Sequence, residues 1–324
     1  MVLNRKTDGR VPIGEATIKR VLEAAQTLGY APNPVAKMLK QGTNQLIGVF
    51  AYEPTFFIET RTFHFPHRLG IEKAASERGY DVLNFTRHRN NPTPKIYVND
   101  MNSLLLADGT IILGSQPDRD ELRRLVEEGY PFVYIGRREV PDCEINWVTH
   151  DYRSGSRQAT QHLMELGHTS LGFITTIWLD PDEPTHDKML GVKEAVDADP
   201  NVRLTQFDMQ RSNLLDIMRK NEISGLLIAD PNDVPVILNL FLENNIAIPD
   251  DMSLVSLVDV DENLPYPADL TYVETDRYGV AELAVQTLSG LLSKTVGPPQ
   301  QHVIDCRFIV GSTTAAPSQW WARR

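Results

Sequence analysis

The sequence predicts an α/β chain made of two Rossmann-like halves, preceded by a short all-helical segment. Three observations predict it. The chain has 324 residues, a length that suggests two domains. From Leu46 onward, short apolar runs alternate with amphipathic helical stretches, the mark of parallel strands covered on both faces. The first fifty residues are basic on an otherwise acidic chain: seven Lys/Arg against three acids give +4, against −11 overall, so the remainder is −15.

In order, Val21, Leu22, Ala25 and Leu28 recur at helical spacing, with Gly14 as an acceptable N-cap. Gly29 and Pro32 stop that helix, and Asn33 caps a short new one through Lys40, with Pro34 tolerated at its first position. Strand-like runs follow at 46–51, 81–85, 109–113, 132–135, 171–175, 225–229 and 253–258. Helical patterns lie between them at 66–79, 119–128, 152–166, 189–196, 214–220 and 235–244. Ligands of such sheets sit beyond the carboxyl ends of the strands, and a cleft between two halves is the natural small-molecule site.

Composition narrows the class. Hydrophobic content of 41% with 23% charged residues is that of an ordinary globular chain. No apolar run is long enough to span a membrane, and no basic region followed by an apolar core opens the chain. Cys143 and Cys306 read as thiols in a reducing cytosol. The eight His residues show no metal-ligand spacing, and no nucleophile elbow, phosphate loop or zinc-protease helix is present, so neither a cofactor nor an enzyme is expected.

The residues Met1-Val2-Leu3-Asn4, the helix from Gly14, Gly29-Tyr30-x-Pro32-Asn33 and the run Val35–Lys40 together resemble the end of the DNA-binding headpiece and the hinge of LacI/GalR (lactose-repressor/galactose-repressor) regulators. The body continues the resemblance: Asp151-Tyr152-x-x-Gly155, then His162-Leu163-x-x-Leu166-Gly167-His168, then Met252–Val255, Leu270-Thr271 and Ile309–Thr313. It implies a type I periplasmic-binding-protein fold. Residues 1–32 would be a helix-turn-helix headpiece whose base-reading part lies before Met1. Residues 33–44 would be the hinge helix and linker, and 45–317 the effector-binding and dimerisation domain. Its N-subdomain would be 45–167 plus 275–303, its C-subdomain 168–274 plus 304–317, with 318–324 a frayed tail.

The resemblance implies operator contacts from Asn4, Asn33, Val35, Ala36, Leu39 and Lys40. Leu39 would be the minor-groove wedge, Ala36 the small residue allowing close approach, and Lys40 a phosphate contact. Beginning where it does, the chain is expected to bind its operator weakly. A homodimer is expected, since two-fold protein symmetry matches two-fold DNA. The effector residues fall at Phe63, Phe65, Asp151, Lys188, Asp230 and Asp259. Here the family pattern shifts: its Arg three residues before a Gly becomes Lys188 before Gly191, its Asp falls on Val258 with Asp259 beside it, and an Asn-Asp pair becomes Asp230-Pro231. Phe63 and Phe65 would wall a sugar or base, unless both simply pack in the core. Arg137 and Arg138 could meet an anion, although loop arginines are more often solvated. The function implied is a cytoplasmic repressor governed by a carbohydrate or carbohydrate derivative. The alternative is a periplasmic-type sugar-binding protein.

Overall fold

The computed structural model describes residues 14–29, 43–52, 61–86, 94–175, 183–209, 213–259 and 269–322. The expected DNA-contacting residues Asn4, Asn33, Val35, Ala36, Leu39 and Lys40 lie outside them. Helix α1 (Glu15–Thr27) starts at Gly14 as expected, and none of its residues is buried among the described ones.

The first lobe is a six-stranded, all-parallel sheet in the order β2-β1-β5-β6-β7-β13: β1 (Leu46–Ala51), β2 (Asp81–Phe85), β5 (Gly109–Leu113), β6 (Phe132–Ile135), β7 (Trp147–His150) and β13 (Gln301–Ile304). A small ribbon, β3 (Tyr97–Val98) with β4 (Met101–Asn102), precedes β5. Helices α2 (Arg61–Glu77) and α8 (Arg277–Leu292) cover one face through Ile71, Ala74, Val280, Ala284 and Leu288. Helix α3 (Arg119–Glu127) covers the other through Leu122 and Leu125, on Phe50, Ile112, Phe132 and Tyr134. Central strands wrapped on both sides read as unbroken apolar runs, which is why β5 and β6 are buried at every position.

The second lobe repeats the plan in the order β9-β8-β10-β11-β12-β14: β8 (Ser170–Thr175), β9 (Arg203–Asp208), β10 (Gly225–Ile228), β11 (Ser253–Ser256), β12 (Thr271–Glu274) and β14 (Arg307–Ile309). Only β14 among these described strands runs antiparallel, against β12. Helices α6 (Leu214–Lys220) and α7 (Asp233–Glu243) cover one face, and α4 (Tyr152–Glu165) and α5 (Glu183–Asp197) the other.

The chain passes between lobes three times, at Asp151, at Thr275–Asp276 and at Asp305–Cys306. The first passage comes earlier than the sequence suggested. Helix α4, assigned to the first half by the boundary at 167, buries Ala159 and Leu163 against Leu171, Phe173 and Val192 of the second lobe. Its amphipathic pattern shows that one face must be covered, not which sheet covers it. The terminus is also corrected. Residues 318–324 were expected to be a loose tail, but Trp320 is buried at 4% exposure in the second-lobe core and its indole Nε1 donates to the Ile223 carbonyl at 2.8 Å. Burying a side chain of this size outweighs the entropy of fixing a few terminal residues.

Candidate effector cleft between the lobes

Both sheets turn the carboxyl ends of their strands toward the three crossing segments, and the expected site residues gather there. Asp151, at the end of β7, caps α4: its Oδ1 accepts the Ser154 amide at 2.9 Å, while its own amide donates to Ile304 at 2.8 Å and ties two crossings together. Gly155 lets α4 settle on those crossings. A Cβ there would lie 2.7 Å from Val273 Cγ1 and 3.0 Å from Cys306 Cβ. The motif found in the sequence is thus the docking of a helix onto the hinge. Its second half ends α4: Gly167 takes a positive φ of 99°, and His168 becomes a buried tie between Ser224 (Nδ1, 2.7 Å) and Ser253 (Nε2, 3.0 Å).

Lys188 is buried and donates from Nζ to the Ala229 carbonyl at 2.8 Å, at the end of β10 and next to Asp230. Its ammonium also stands 5.0 Å over the Tyr152 ring, a cation–π arrangement. Asp259 carries a load at the hinge. Both of its oxygens accept the Thr275 amide at 3.0 Å, one accepts the Thr275 hydroxyl, and the Arg277 guanidinium stands 3.6 Å away. Asp230 accepts the Asn232 amide and Nδ2, both at 2.9 Å, and shapes the turn into α7. The Cys306 thiol reports the grouping. Burial first, then the negative charges of Asp151 and Asp259, push its pKa up to about 12, while Lys188 pulls it down. The charges of Asp151, Lys188 and Asp259 are thus all felt at the third crossing.

The aromatic wall is placed less fully. Phe65 lies early in α2, which enters from the carboxyl end of β1, and is 51% exposed, so it is not a core residue. Phe63 belongs to the same helix, and its side chain lies outside the described residues.

Sequence reasoning treated Arg137 and Arg138 as solvated, and the structure corrects this. After β6 the chain turns at Gly136, and Arg137 crosses to α5, giving Asp187 two bonds (Nη2–Oδ1 2.7 Å, Nε–Oδ2 3.2 Å). Burial opposes the Arg137 charge, but the hydrogen bonds and charge of Asp187 outweigh it, and its pKa is raised. Arg138 is 5% exposed and donates to the Arg137 and Gly114 carbonyls, with its Nε 3.7 Å from Glu183 Oε2. Glu183 accepts from Arg119 at 3.1 Å and from the Glu139 amide at 2.8 Å. His150, ending β7, was not singled out either. Burial first, then the neighbouring Arg277 charge, lower its pKa against the pull of an Asp276 backbone hydrogen bond. A His closing the short run Trp147-Val148-Thr149-His150 gives no sequence signal for this position.

Comparison with known proteins agrees with this architecture. Residues 160–314 match a family described as periplasmic binding protein-like domain. The chain is 25% identical over 299 residues to the probable HTH-type transcriptional regulator EndR of Paenibacillus polymyxa, spanning 90% of this chain and 85% of that protein. It is 29% identical over 175 residues to the HTH-type transcriptional regulator CelR of Thermobifida fusca, about half of each chain (53% and 50%). Among solved structures, a transcriptional regulator CelR–cellobiose complex superposes with a TM-score of 0.67 at 21% identity, covering 96% of this chain and 94% of that one. Transcription regulator CcpA of Lactococcus lactis gives 0.68 at 20% identity, covering 83% and 98%.

Proposed function

We propose that the chain is a transcriptional regulator of the LacI/GalR type, in which an uncharged carbohydrate binds between the lobes and sets the hold on operator DNA. The supporting observation is the charge matching at the strand ends. Arg137 faces Asp187, Arg138 and Arg119 face Glu183, Arg277 faces Asp259, and Lys188 is engaged by the Ala229 carbonyl. At each of these arginines a phosphate or carboxylate would have to displace an acid already in place, and Lys188 is committed to a carbonyl and the Tyr152 ring. A neutral polyol needs only to exchange hydrogen bonds with Lys188, Asp151, Asp230 and Asp259, while an exposed aromatic such as Phe65 covers a ring face. The similar CelR is solved with cellobiose, which points to the same ligand class.

In this reading the protein works in the cytoplasm as a homodimeric repressor, with ligand occupancy changing the angle between the lobes and hence the hinge segment at 33–40. A ligand shifts that equilibrium only through unequal affinity for the two lobe arrangements, a coupling typically on the order of 1–3 kcal/mol. The test is a thermal-shift screen of mono- and disaccharides beside sugar phosphates and purines, because a ligand that binds only the folded state raises its stability. A neutral sugar is expected to raise Tm, by an increment that grows with its concentration. A response to sugar phosphates or purines with none to any neutral sugar would overturn the assignment.

A further inference from the structure

The bridge from the loop after β6 to the first turns of α5 has a consequence of its own, whatever the ligand proves to be. Strand β6 is the sheet neighbour of β7, the strand that leads into the first crossing, so the bridge stands one strand away from the hinge. It holds three cations, Arg119, Arg137 and Arg138, on the first lobe and two acids, Glu183 and Asp187, on the second. The acids lie four residues apart and therefore share one helix face. The Arg137–Asp187 contact is two-pronged, the geometry that gives a guanidinium–carboxylate pair its strength and its fixed direction. Arg137 and Asp187 have only 23% and 18% of their side-chain surface exposed, and Arg138 and Glu183 4% and 10%, so solvent screens the cluster far less than an ordinary surface pair. Asp187 is also the immediate neighbour of Lys188, so the bridge and a proposed ligand contact ride on one turn of α5.

We propose that Glu183 and Asp187 form a charged latch that holds the two lobes in one mutual orientation before any ligand arrives. A ligand drawing on Lys188 moves the turn that carries Asp187, so occupancy is converted into a change of lobe angle through this ion pair. The latch resists rotation about the crossings because its partners sit on different lobes. The surface pairs Lys73–Glu282 and Arg203–Glu222 each lie within one lobe and lack that leverage.

The experiment is a double-mutant cycle read as lobe-to-lobe distance. Spin labels are placed at exposed Ser76 of α2 and exposed Lys220 of α6, in the full chain with Cys143 and Cys306 replaced by Ser. The labelled chain is diluted with unlabelled protein so that only distances within one chain are read. Arg137→Gln, Asp187→Asn and the double variant are compared without ligand, with circular dichroism melts confirming that each folds. Each single variant is expected to lower the ratio of the parent distance population to a shifted one roughly ten-fold. The double variant should be no worse than either single, because the same contact is lost only once. High salt should shift the parent in the same direction and the double variant less, since only the Glu183 pairs then remain to be screened. An unchanged distance distribution in the single variants, or effects that simply add in the double, would overturn the latch. Both outcomes are read without ligand, so they are separate from the fate of the carbohydrate assignment.

Discussion

Replacing Gly191 with Ala tests the packing that places the proposed ligand-binding turn. An added Cβ at Gly191 would fall 2.1 Å from the Arg153 carbonyl oxygen and 2.9 Å from its carbon. A comfortable carbon–oxygen contact is roughly 3.3–3.6 Å, so α5 must move away from α4 by about 1 Å or more. The obstructing atom is backbone in a helix that is itself packed, and it cannot rotate aside. Overpacking typically costs about 1–3 kcal/mol, and this geometry belongs at the upper end. Ala gains about 1 kcal/mol of helix propensity over Gly, leaving a net loss of about 2 kcal/mol. At about 2–4 °C per kcal/mol, the unfolding transition of the second lobe should fall by roughly 4–8 °C. Differential scanning calorimetry is the appropriate assay, since two lobes need not unfold in one step. The same displacement carries Asp187 and Lys188 outward, so the affinity for a stabilising sugar should fall with Tm. A variant that melts at or above the parent temperature would show that the α4–α5 contact is not as close as described, and the placement of Lys188 would go with it.

Three further outcomes are expected. His150 and His168 are buried, and burial lowers the pKa of each below the ordinary 6.5. The unfolded chain therefore takes up protons that the folded one refuses, so stability is full above pH 6.5 and is lost as pH falls below it, by at most about 1.4 kcal/mol per pH unit for each group. Urea midpoints at pH 7.5, 6.5 and 5.5 check this, and His168→Gln should weaken the dependence; a midpoint that rises toward pH 5.5 would contradict it. Trp320→Ala should cost about 3–5 kcal/mol in the second lobe, from the emptied volume and the lost bond to the Ile223 carbonyl; a loss below about 1 kcal/mol in chemical denaturation would restore the loose tail. Lys188→Met keeps the side-chain stem but removes the ammonium, and calorimetric titration should show at least a ten-fold loss of sugar affinity; undiminished binding would remove Lys188 from the site.

How much of this was readable in advance follows from which forces act locally. Strands β1, β5, β6 and β10 were legible because both faces are covered, so their composition is apolar apart from Thr110. Strand β9 was not. It is a sheet edge with exposed and half-buried positions, and Arg203-Leu204-Thr205-Gln206-Phe207-Asp208 looks like a loop. Strand β7 is paired on both sides, yet its Thr149 and His150 carry polar groups into the interior, and an apolar-run criterion passes over it. Gly155 and Gly191 stood out in motifs because close backbone approach leaves a trace in residue type. Asp259 was legible only as a neighbour of the expected position. That Thr275 and Arg277 already engage it depends on a crossing segment sixteen and eighteen residues further on.

The latch marks where local reading ends. Glu183 and Asp187 fell before the helix expected at 189–196, which in fact begins at Glu183, and Arg137-Arg138 read as adjacent cations after a strand. Arg137 and Asp187 are separated by 50 residues, with a full crossing between lobes intervening. Neither spacing nor periodicity carries the partner of a charge across such an interval, so solvation is the correct default for each residue alone. The default fails because the two lobes meet along this edge. There α5, packed against α4, brings its first turns beside the loop after β6, and five charged side chains meet at the boundary between lobes. The boundary of α4 and the arginines are separate corrections, since Glu183 and Asp187 already fell within the second half expected at 168–274.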